Sequence, residues 1–414
     1  MGRYARRDVL KGAAVAAFAA MTMRNPTTTA PAASAHEDAA PAAGPDAITL
    51  MLAGDVMTGR GIDQILPHPV DPRLFEPYVT SAREYVALAE RTNGPIPKLV
   101  DFAYIWEDAL DELQRLGTDV RIVNLETAVT TAAEPAPKGI NYRMTPRNAP
   151  CLQAAAIDCC TLANNHILDW GPAGLLETLE TLDALGIKHA GAGADLRSAQ
   201  APAILDVPGK GRVFVYAFAA PSSGVPHAWA ATENRPGVAF LAEPGPEDVR
   251  RIARRIRADR RPGDVVVASI HWGGNWGYDV PDRQRDFAHG LIDHAGIDIV
   301  HGHSSHHAKG IEVYRHRPIL YGCGDLITDY EGISGYEAYR DDLPLFYLVG
   351  VAPGTGHLLR LDMVPLRMRR FRLERASPAD IDWLRDMFDR EGGDFGTSVE
   401  LTGRGTLSLR WREP

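Results

Sequence analysis

Side chains that can bind metal ions or move protons recur along this 414-residue chain, each time directly after a short apolar segment. The densest group is at residues 301–307, where four histidines flank Gly302. Imidazole is the commonest protein ligand for transition metals and the usual acid–base group near neutral pH. The candidate metal ligands at the ends of these segments are Asp55, Glu126, Asn165, His271, His303 and His306.

The mixture of carboxylate, amide and imidazole donors indicates a particular kind of cofactor. These donors suit Mn, Fe or Zn, and a carboxylate can bridge two such ions about 3.5–4 Å apart. Ions placed in this way acidify a bound water and polarise an electrophilic oxygen. The pattern therefore predicts two divalent metal ions and metal-assisted acyl or phosphoryl chemistry.

Further residues are candidates for catalysis and for substrate binding. His166 adjoins Asn165, and the carboxylate of Asp169 lies three residues on, where it can orient the ring. We expect His166 to be a general acid that Asp169 supports. Arg60 can bind an anionic group through two parallel hydrogen bonds, although an internal ion pair explains it equally well. The other candidate substrate contacts are Asn124 and Asn275.

The elements that must position these residues have recognisable patterns. Short apolar runs predict strands at residues 48–53, 120–123, 157–163, 264–270 and 297–300. Helical periodicity predicts helices at residues 99–116, 172–185, 246–260, 282–295 and 378–390. The order predicts an α/β fold with a mixed sheet, or two sheets, flanked by helices. Each candidate alone could be a turn residue or a core histidine, but strand ends in such folds converge on one crevice.

Composition and the first residues narrow the class of protein. A formal net charge of −9 argues against a nucleic-acid partner, and four cysteines without CxxC spacing argue against a zinc knuckle. Arg6 and Arg7, a short apolar run and Ala33-Ser34-Ala35 predict a twin-arginine signal peptide over residues 1–35 and export to the periplasm or the cell exterior. We expect a linker at 36–46, a main domain at 47–370 and, packed on it, a C-terminal helix and strand extension at 371–414.

The candidate residues lie in five motifs: Gly54-Asp55-Val56-Met57, Asn124-Leu125-Glu126, Asn164-Asn165-His166, His271-Trp272-Gly273 and Gly302-His303-Ser304-Ser305-His306. In this order, over residues 47–335, they resemble the CapA family of poly-γ-glutamate capsule proteins, which is similar to the calcineurin-like metallophosphoesterases. The resemblance implies a four-layer αββα sandwich with the site at the sheet edges. It also implies that Asp55 and His306 hold one metal. Asn165, His271 and His303 would hold the other, with Glu126 bridging.

The sequence departs from these family patterns at several positions. Met57 stands where the phosphoesterase Asp-x-His motif has its histidine, so the first metal lacks an imidazole. Glu126 replaces a bridging aspartate, and Asn275 stands where CapA-like chains commonly have glutamate. Asp325 replaces the more usual asparagine after glycine, which could add a carboxylate to the edge of the site.

The resemblance implies an exported metalloprotein for the synthesis, export or processing of poly-γ-glutamate or a related amide-linked polymer. We expect it to be a metal-dependent hydrolase or transferase, with membrane-bound capsule synthesis proteins as further partners. Because a fold does not determine the chemistry of its site, three alternatives stay open. They are a phosphoesterase, a non-catalytic polymer-binding partner of a membrane polymerase, and an epimerase of peptide α-carbons.

Overall fold

The computed structural model describes residues 47–403 and 405–412. The predicted signal peptide at 1–35 and the predicted linker at 36–46 lie outside the described residues. None of the helices in the described ranges combines the length and the apolar character that a membrane crossing requires.

The strands are β1 Ile48–Val56, β2 Val120–Leu125, β3 Ala128–Val129, β4 Arg143–Met144, β5 Cys159–Thr161, β6 Lys188–Ala190, β7 Ala192–Gly193, β8 Ala203–Val207, β9 Gly211–Ala219, β10 Gly237–Val238, β11 Val265–His271, β12 Ile299–His303, β13 Ile311–Tyr314, β14 Arg317–Leu320, β15 Asp325–Ile327, β16 Leu345–Val351, β17 Leu358–Arg369, β18 Arg372–Arg375, β19 Thr397–Leu401 and β20 Leu407–Trp411. The α-helices are α1 Gly61–Ile65, α2 Ala82–Asn93, α3 Asp108–Leu116, α4 Pro150–Ala154, α5 Gly171–Ala184, α6 Leu196–Ala199, α7 Pro246–Asp259, α8 Asp282–Gly290 and α9 Pro378–Gly392. A π-helical turn, Leu291–Ala295, continues α8.

Two sheets contain most of these strands. The larger has the order β19-β20-β17-β16-β1-β2-β5-β6, in which β1, β2, β5 and β6 are parallel and the remaining strands add antiparallel neighbours. The short strand β15 pairs in parallel with the end of β1, and β18 pairs with β17. The smaller sheet has the order β13-β14-β12-β11-β9-β8, with β9, β11, β12 and β14 parallel.

Alternation along β9 shows how the sheets pack, because successive side chains of a strand point to opposite faces. Val213 and Val215 lie in the apolar cluster that contains the core of the larger sheet. Phe214 and Tyr216 lie in a second cluster with Ile252 of α7 and with residues of α8. Buried residues of α3, α4 and α5 pack with the larger sheet. The predicted α/β class and four-layer αββα sandwich are therefore confirmed.

The structure differs from the predicted helices in two places. The helix predicted at 99–116 begins only at Asp108, because Leu99 has φ 54° and Glu107 has φ 39°, both outside the helical region. Helix α2 was not predicted, although Ser81 caps it by accepting a hydrogen bond from the backbone N–H of Arg83. At the C-terminal end, Ser377 caps α9, and β20 pairs with β17 of the larger sheet.

Candidate metal centre

The predicted metal ligands come from both sheets and meet where strand ends of the two sheets approach each other. Asp55 lies near the end of β1 and Glu126 directly follows β2. Asn165 comes four residues after β5. His271 and His303 are the last residues of β11 and β12 and are direct partners in their parallel pairing. The parallel strand order places these ends together, as the sequence predicted.

Two imidazoles and a carboxylate form the closest group. The Nδ1 atoms of His271 and His303 are 2.8 Å apart, and His303 Nδ1 lies 3.6 Å from Asp55 Oδ1. His271 Nε2 lies 3.0 Å from the amide oxygen of Asn165 and 3.6 Å from Glu126 Oε1. Donor atoms of Asp55, His271 and His303 lie within 4.8 Å of one another and could hold one cation.

Neighbouring groups hold Asp55 in place. The Asn124 amide donates to Asp55 Oδ1 at 2.7 Å, and the backbone N–H of Ser304 donates to Oδ2 at 3.1 Å. Ser304 has φ 101°, an unusual conformation for a residue other than glycine. Asn124 Oδ1 is itself occupied by Thr161 and Asn164. Asn124 was predicted to contact substrate; in the structure it positions Asp55.

Glu126 adds a further acidic side chain to the buried carboxyl groups of the site. Its side chain is buried, and Oε2 has no hydrogen-bond partner. Burial and the charges of Asp55 and Asp325 raise the pKa of Glu126 well above its ordinary value. Burial and Asp325 likewise raise the pKa of Asp55 to about 7. A buried carboxylate oxygen without a partner is costly, so a cation in this position fits both the donor set and the charge.

The ring of His303 is oriented from behind. Ser269 Oγ lies 2.8 Å from His303 Nε2 and 3.1 Å from His301 Nδ1. This leaves Nδ1 of His303 facing the site, as in metal-binding histidines whose second nitrogen is hydrogen-bonded. Burial and the neighbouring His271 lower the pKa of His303 well below its usual value, which favours the neutral ring that a metal requires.

His306 lies at the other side of Asp55, on the turn after β12. Its Nδ1 is 3.0 Å from Asp325 Oδ1, and its Nε2 is 3.0 Å from the Asn275 amide nitrogen. Burial lowers the pKa of His306, but Asp325 and Asp55 raise it by more. Asn275, an exposed residue predicted to contact substrate, is thus next to a predicted ligand.

The predicted proton donor, His166, is held by Asp169, which Lys138 holds in turn. Its Nδ1 lies 2.6 Å from Asp169 Oδ2, and Lys138 Nζ donates to Asp169 Oδ1 at 2.7 Å. Nε2 of His166 faces the centre, 3.8 Å from Glu126 Oε1. Burial and Lys138 lower the pKa of His166 well below its ordinary value. The neutral ring that results donates from Nδ1 to Asp169 and presents Nε2 to the site.

Comparison with known proteins identifies the family of this chain. A family model described as bacterial capsule synthesis protein PGA_cap matches residues 49–330, which include every predicted ligand. The chain belongs to the PGA_cap family. This confirms the resemblance to CapA that the five motifs indicated.

Individual proteins also resemble the chain along most of its length. It is 51% identical over 360 residues to a probable polyglutamine synthesis accessory protein of Mycobacterium tuberculosis, which covers 86% of this chain and 94% of the relative. The chain is 28% identical over 353 residues to the PGA biosynthesis protein CapA of Bacillus subtilis. This alignment covers 81% of the chain and 74% of the relative. The chain is 26% identical over 330 residues to a capsule biosynthesis protein CapA of Bacillus anthracis. This alignment covers 78% of the chain and 68% of the relative.

Arg60 was predicted either to bind substrate or to form an internal ion pair. In this PGA_cap protein it is buried, and Nε and Nη2 donate to Asp329 at 3.1 and 2.6 Å. Nη1 donates to Glu76 at 2.9 Å, and the guanidinium lies 3.8 Å from the centre of the Tyr85 ring. These contacts favour the internal role.

We expect Arg60→Met to destabilise the fold by about 3–5 kcal/mol, because Asp329 and Glu76 would stay buried without a counter-charge. Urea unfolding measures this change. The control is Arg250→Met, which removes an exposed ion pair with Glu247 and should cost less than about 1 kcal/mol. An Arg60→Met variant as stable as the wild type but weakened in substrate binding would instead support the substrate-binding role.

The structure adds two residues to the site that the sequence did not reveal. Ser269 lies two residues before His271 on the same face of β11, so strand alternation could have indicated it. Lys138 is a single lysine in the irregular segment between β3 and β4, where no motif marks it. It reaches both Asp169 and the backbone carbonyl of Asn165. Only the tertiary path of that segment brings it to the site.

Proposed function

We propose that this protein uses a pair of divalent metal ions to hydrolyse or transfer acyl groups of poly-γ-glutamate or a related amide-linked polymer. The observation that carries the proposal is the convergence of Asp55, Glu126, His271 and His303, with Glu126 Oε2 buried and lacking a partner. Such a donor set fits Mn, Fe or Zn. When bound, ions of this kind would supply an acidified water and polarise the carbonyl oxygen of the amide to be cleaved.

The choice of substrate class draws on the family and on the names of its members. The relatives from Bacillus are named for PGA or capsule biosynthesis, and the mycobacterial relative for polyglutamine synthesis. A polymer of linked glutamates offers amide carbonyls as electrophiles and carboxylates as anionic groups. The proposed partners are this polymer and the membrane-bound proteins that make it.

The chain's own contribution to the chemistry centres on His166. Asp169 accepts the hydrogen bond from Nδ1 and fixes the tautomer, while Lys138 holds the Asp169 carboxylate in turn. Nε2 therefore faces the centre as the atom that takes and returns a proton. In the neutral ring, Nε2 first accepts a proton from the attacking water. The same atom then donates this proton to the leaving nitrogen of the amide.

Metal analysis tests the metal part of the proposal. We expect the wild type, purified with Mn²⁺ and freed of loosely bound ions, to retain two ions for each chain, and His303→Ala to lose at least one of them. His294→Ala removes an exposed histidine elsewhere and serves as the matched control, which should retain both. A wild-type protein without bound ions would contradict the proposal.

Turnover tests the catalytic part with the same preparation. We expect the wild type to change the chain length of poly-γ-glutamate, and His166→Ala to keep its metal ions while losing about 10²–10⁴-fold in rate. Release of phosphate from an aryl phosphate, without action on the polymer, would indicate a phosphoesterase. Equal rates for the wild type and His166→Ala would exclude the proposed role of this histidine.

A further inference from the structure

The first of the two proposed metal positions lacks a ligand that the related phosphoesterase pattern supplies. The residue two places after Asp55 is Met57, whose side chain is buried and whose sulfur lies 3.5 Å from the Tyr330 hydroxyl. A thioether is a weak, soft donor that does not suit hard divalent ions. With Asp55, His306 and the bridging Glu126, this position would have one protein ligand fewer than in the related pattern.

The strand β15 brings another carboxylate to the same place. Asp325 is the direct partner of Asp55 in the parallel pairing of β15 with β1, and the Asp55 N–H donates to Gly324 O at 3.1 Å. Neighbouring strands lie about 4.8 Å apart, so partner side chains on one face are adjacent. The close approach depends on Gly54, where a Cβ would lie 1.7 Å from Gly324 O.

The two oxygens of Asp325 differ in their surroundings. Oδ1 lies 3.0 Å from His306 Nδ1, whereas Oδ2 is buried and has no hydrogen-bond partner. Asp325 is only 3% exposed, so bulk water does not act as the hydrogen-bond partner of Oδ2. A role limited to orienting His306 would use Oδ1 and leave Oδ2 desolvated without a hydrogen-bond partner.

We propose that Asp325 is a direct ligand of the first metal ion, together with Asp55 and His306, and compensates for Met57. This inference rests on the proposed two-metal site. It assigns an anionic oxygen donor to the position where the related pattern has a neutral imidazole. The first position therefore favours harder ions, such as Mn²⁺ over Zn²⁺, more than an imidazole-rich site does.

Binding of Mn²⁺ by matched variants tests the inference. Asp325→Asn keeps the shape and an oxygen acceptor for His306 but loses the anionic oxygen, and Asp325→Ala loses both. We expect each variant to bind the first Mn²⁺ at least about 10-fold more weakly than the wild type while retaining the second. Paramagnetic resonance should then show an isolated Mn²⁺ in the variants and a coupled pair in the wild type.

Control variants distinguish a failure of this inference from a failure of the proposed function. Asp362→Asn changes a buried aspartate of β17 outside the site and should leave two ions bound. Melting in chelator checks that Asp325→Asn and Asp325→Ala still fold. Unchanged Mn²⁺ affinity in Asp325→Asn would overturn the inference alone. Absence of Mn²⁺ from the wild type would overturn the proposed function and the inference with it.

Discussion

Replacing Glu126 by glutamine should shift the stability of the protein in opposite directions with and without metal. In chelator, we expect Glu126→Gln to melt at a higher temperature than the wild type. In excess Mn²⁺, we expect it to melt at a lower temperature. Few substitutions reverse sign in this way, which makes the result diagnostic of a metal-bridging carboxylate.

The physical reason is the surplus charge at the centre. Without metal, burial and the charges of Asp55 and Asp325 raise the pKa of Glu126, so folding near neutral pH must either protonate this side chain or bury its charge, and Oε2 has no partner. A neutral amide of the same shape removes that cost. With metal, glutamine offers one donor oxygen and cannot bridge two ions, so the variant loses the stabilisation that binding provides. That stabilisation is about 2.7 kcal/mol at a ligand concentration of 100 times Kd.

Scanning calorimetry in chelator and in Mn²⁺ measures both shifts. Glu312→Gln is the matched control, because Glu312 is also a buried carboxylate but bonds Arg285, His289 and Tyr321, none of which is a proposed metal ligand. It should destabilise the protein under both conditions. If Glu126→Gln instead behaves like the control, the bridging role is wrong.

A second large effect is expected from a single methyl group at Gly54. A Cβ there would lie 1.7 Å from Gly324 O and 2.9 Å from the Gly324 carbonyl carbon, which belong to backbone rather than to a movable side chain. Gly54→Ala must therefore separate β1 from β15. We expect a loss of about 3 kcal/mol or more and a melting temperature lower by roughly 4 °C or more.

Gly274→Ala is the control for this change, because a Cβ at Gly274 meets no atom within 4 Å. It should melt within about 2 °C of the wild type. Thermal melting of the three proteins in chelator tests the packing argument without metal. A Gly54→Ala protein that melts with the control would show that β15 does not approach β1 as closely as the structure has it.

The sequence predicted the strands that carry the site well, because each is a short apolar run that ends in a polar residue. It placed the ends of β1, β2, β11 and β12 within a few residues. It failed at α3, which begins only after the positive φ of Glu107, and at α2, which was not predicted although Ser81 caps it. Local backbone conformation of this kind is selected by tertiary contacts rather than by composition.

For the site, residue type and position at a strand end identified the side chains that converge, but not how each is used. Asn124 and Arg60 have the donor groups that substrate binding needs, yet the structure gives those donors to Asp55 and to Asp329 and Glu76. The partner of a hydrogen bond depends on which segments meet in space. Lys138 shows the same point, since its only sign in the sequence is its charge.

The division of the ligands between the two sheets has a consequence for how long the folded protein resists proteolysis. Asp55 and Glu126 belong to the larger sheet and His271 and His303 to the smaller, so bound ions would tie together layers distant in sequence. All four cysteines are buried and free, so no disulfide does this. Metal supply would then set how long the chain survives proteolysis, and a metal-starved cell would lose the protein itself, not only its activity.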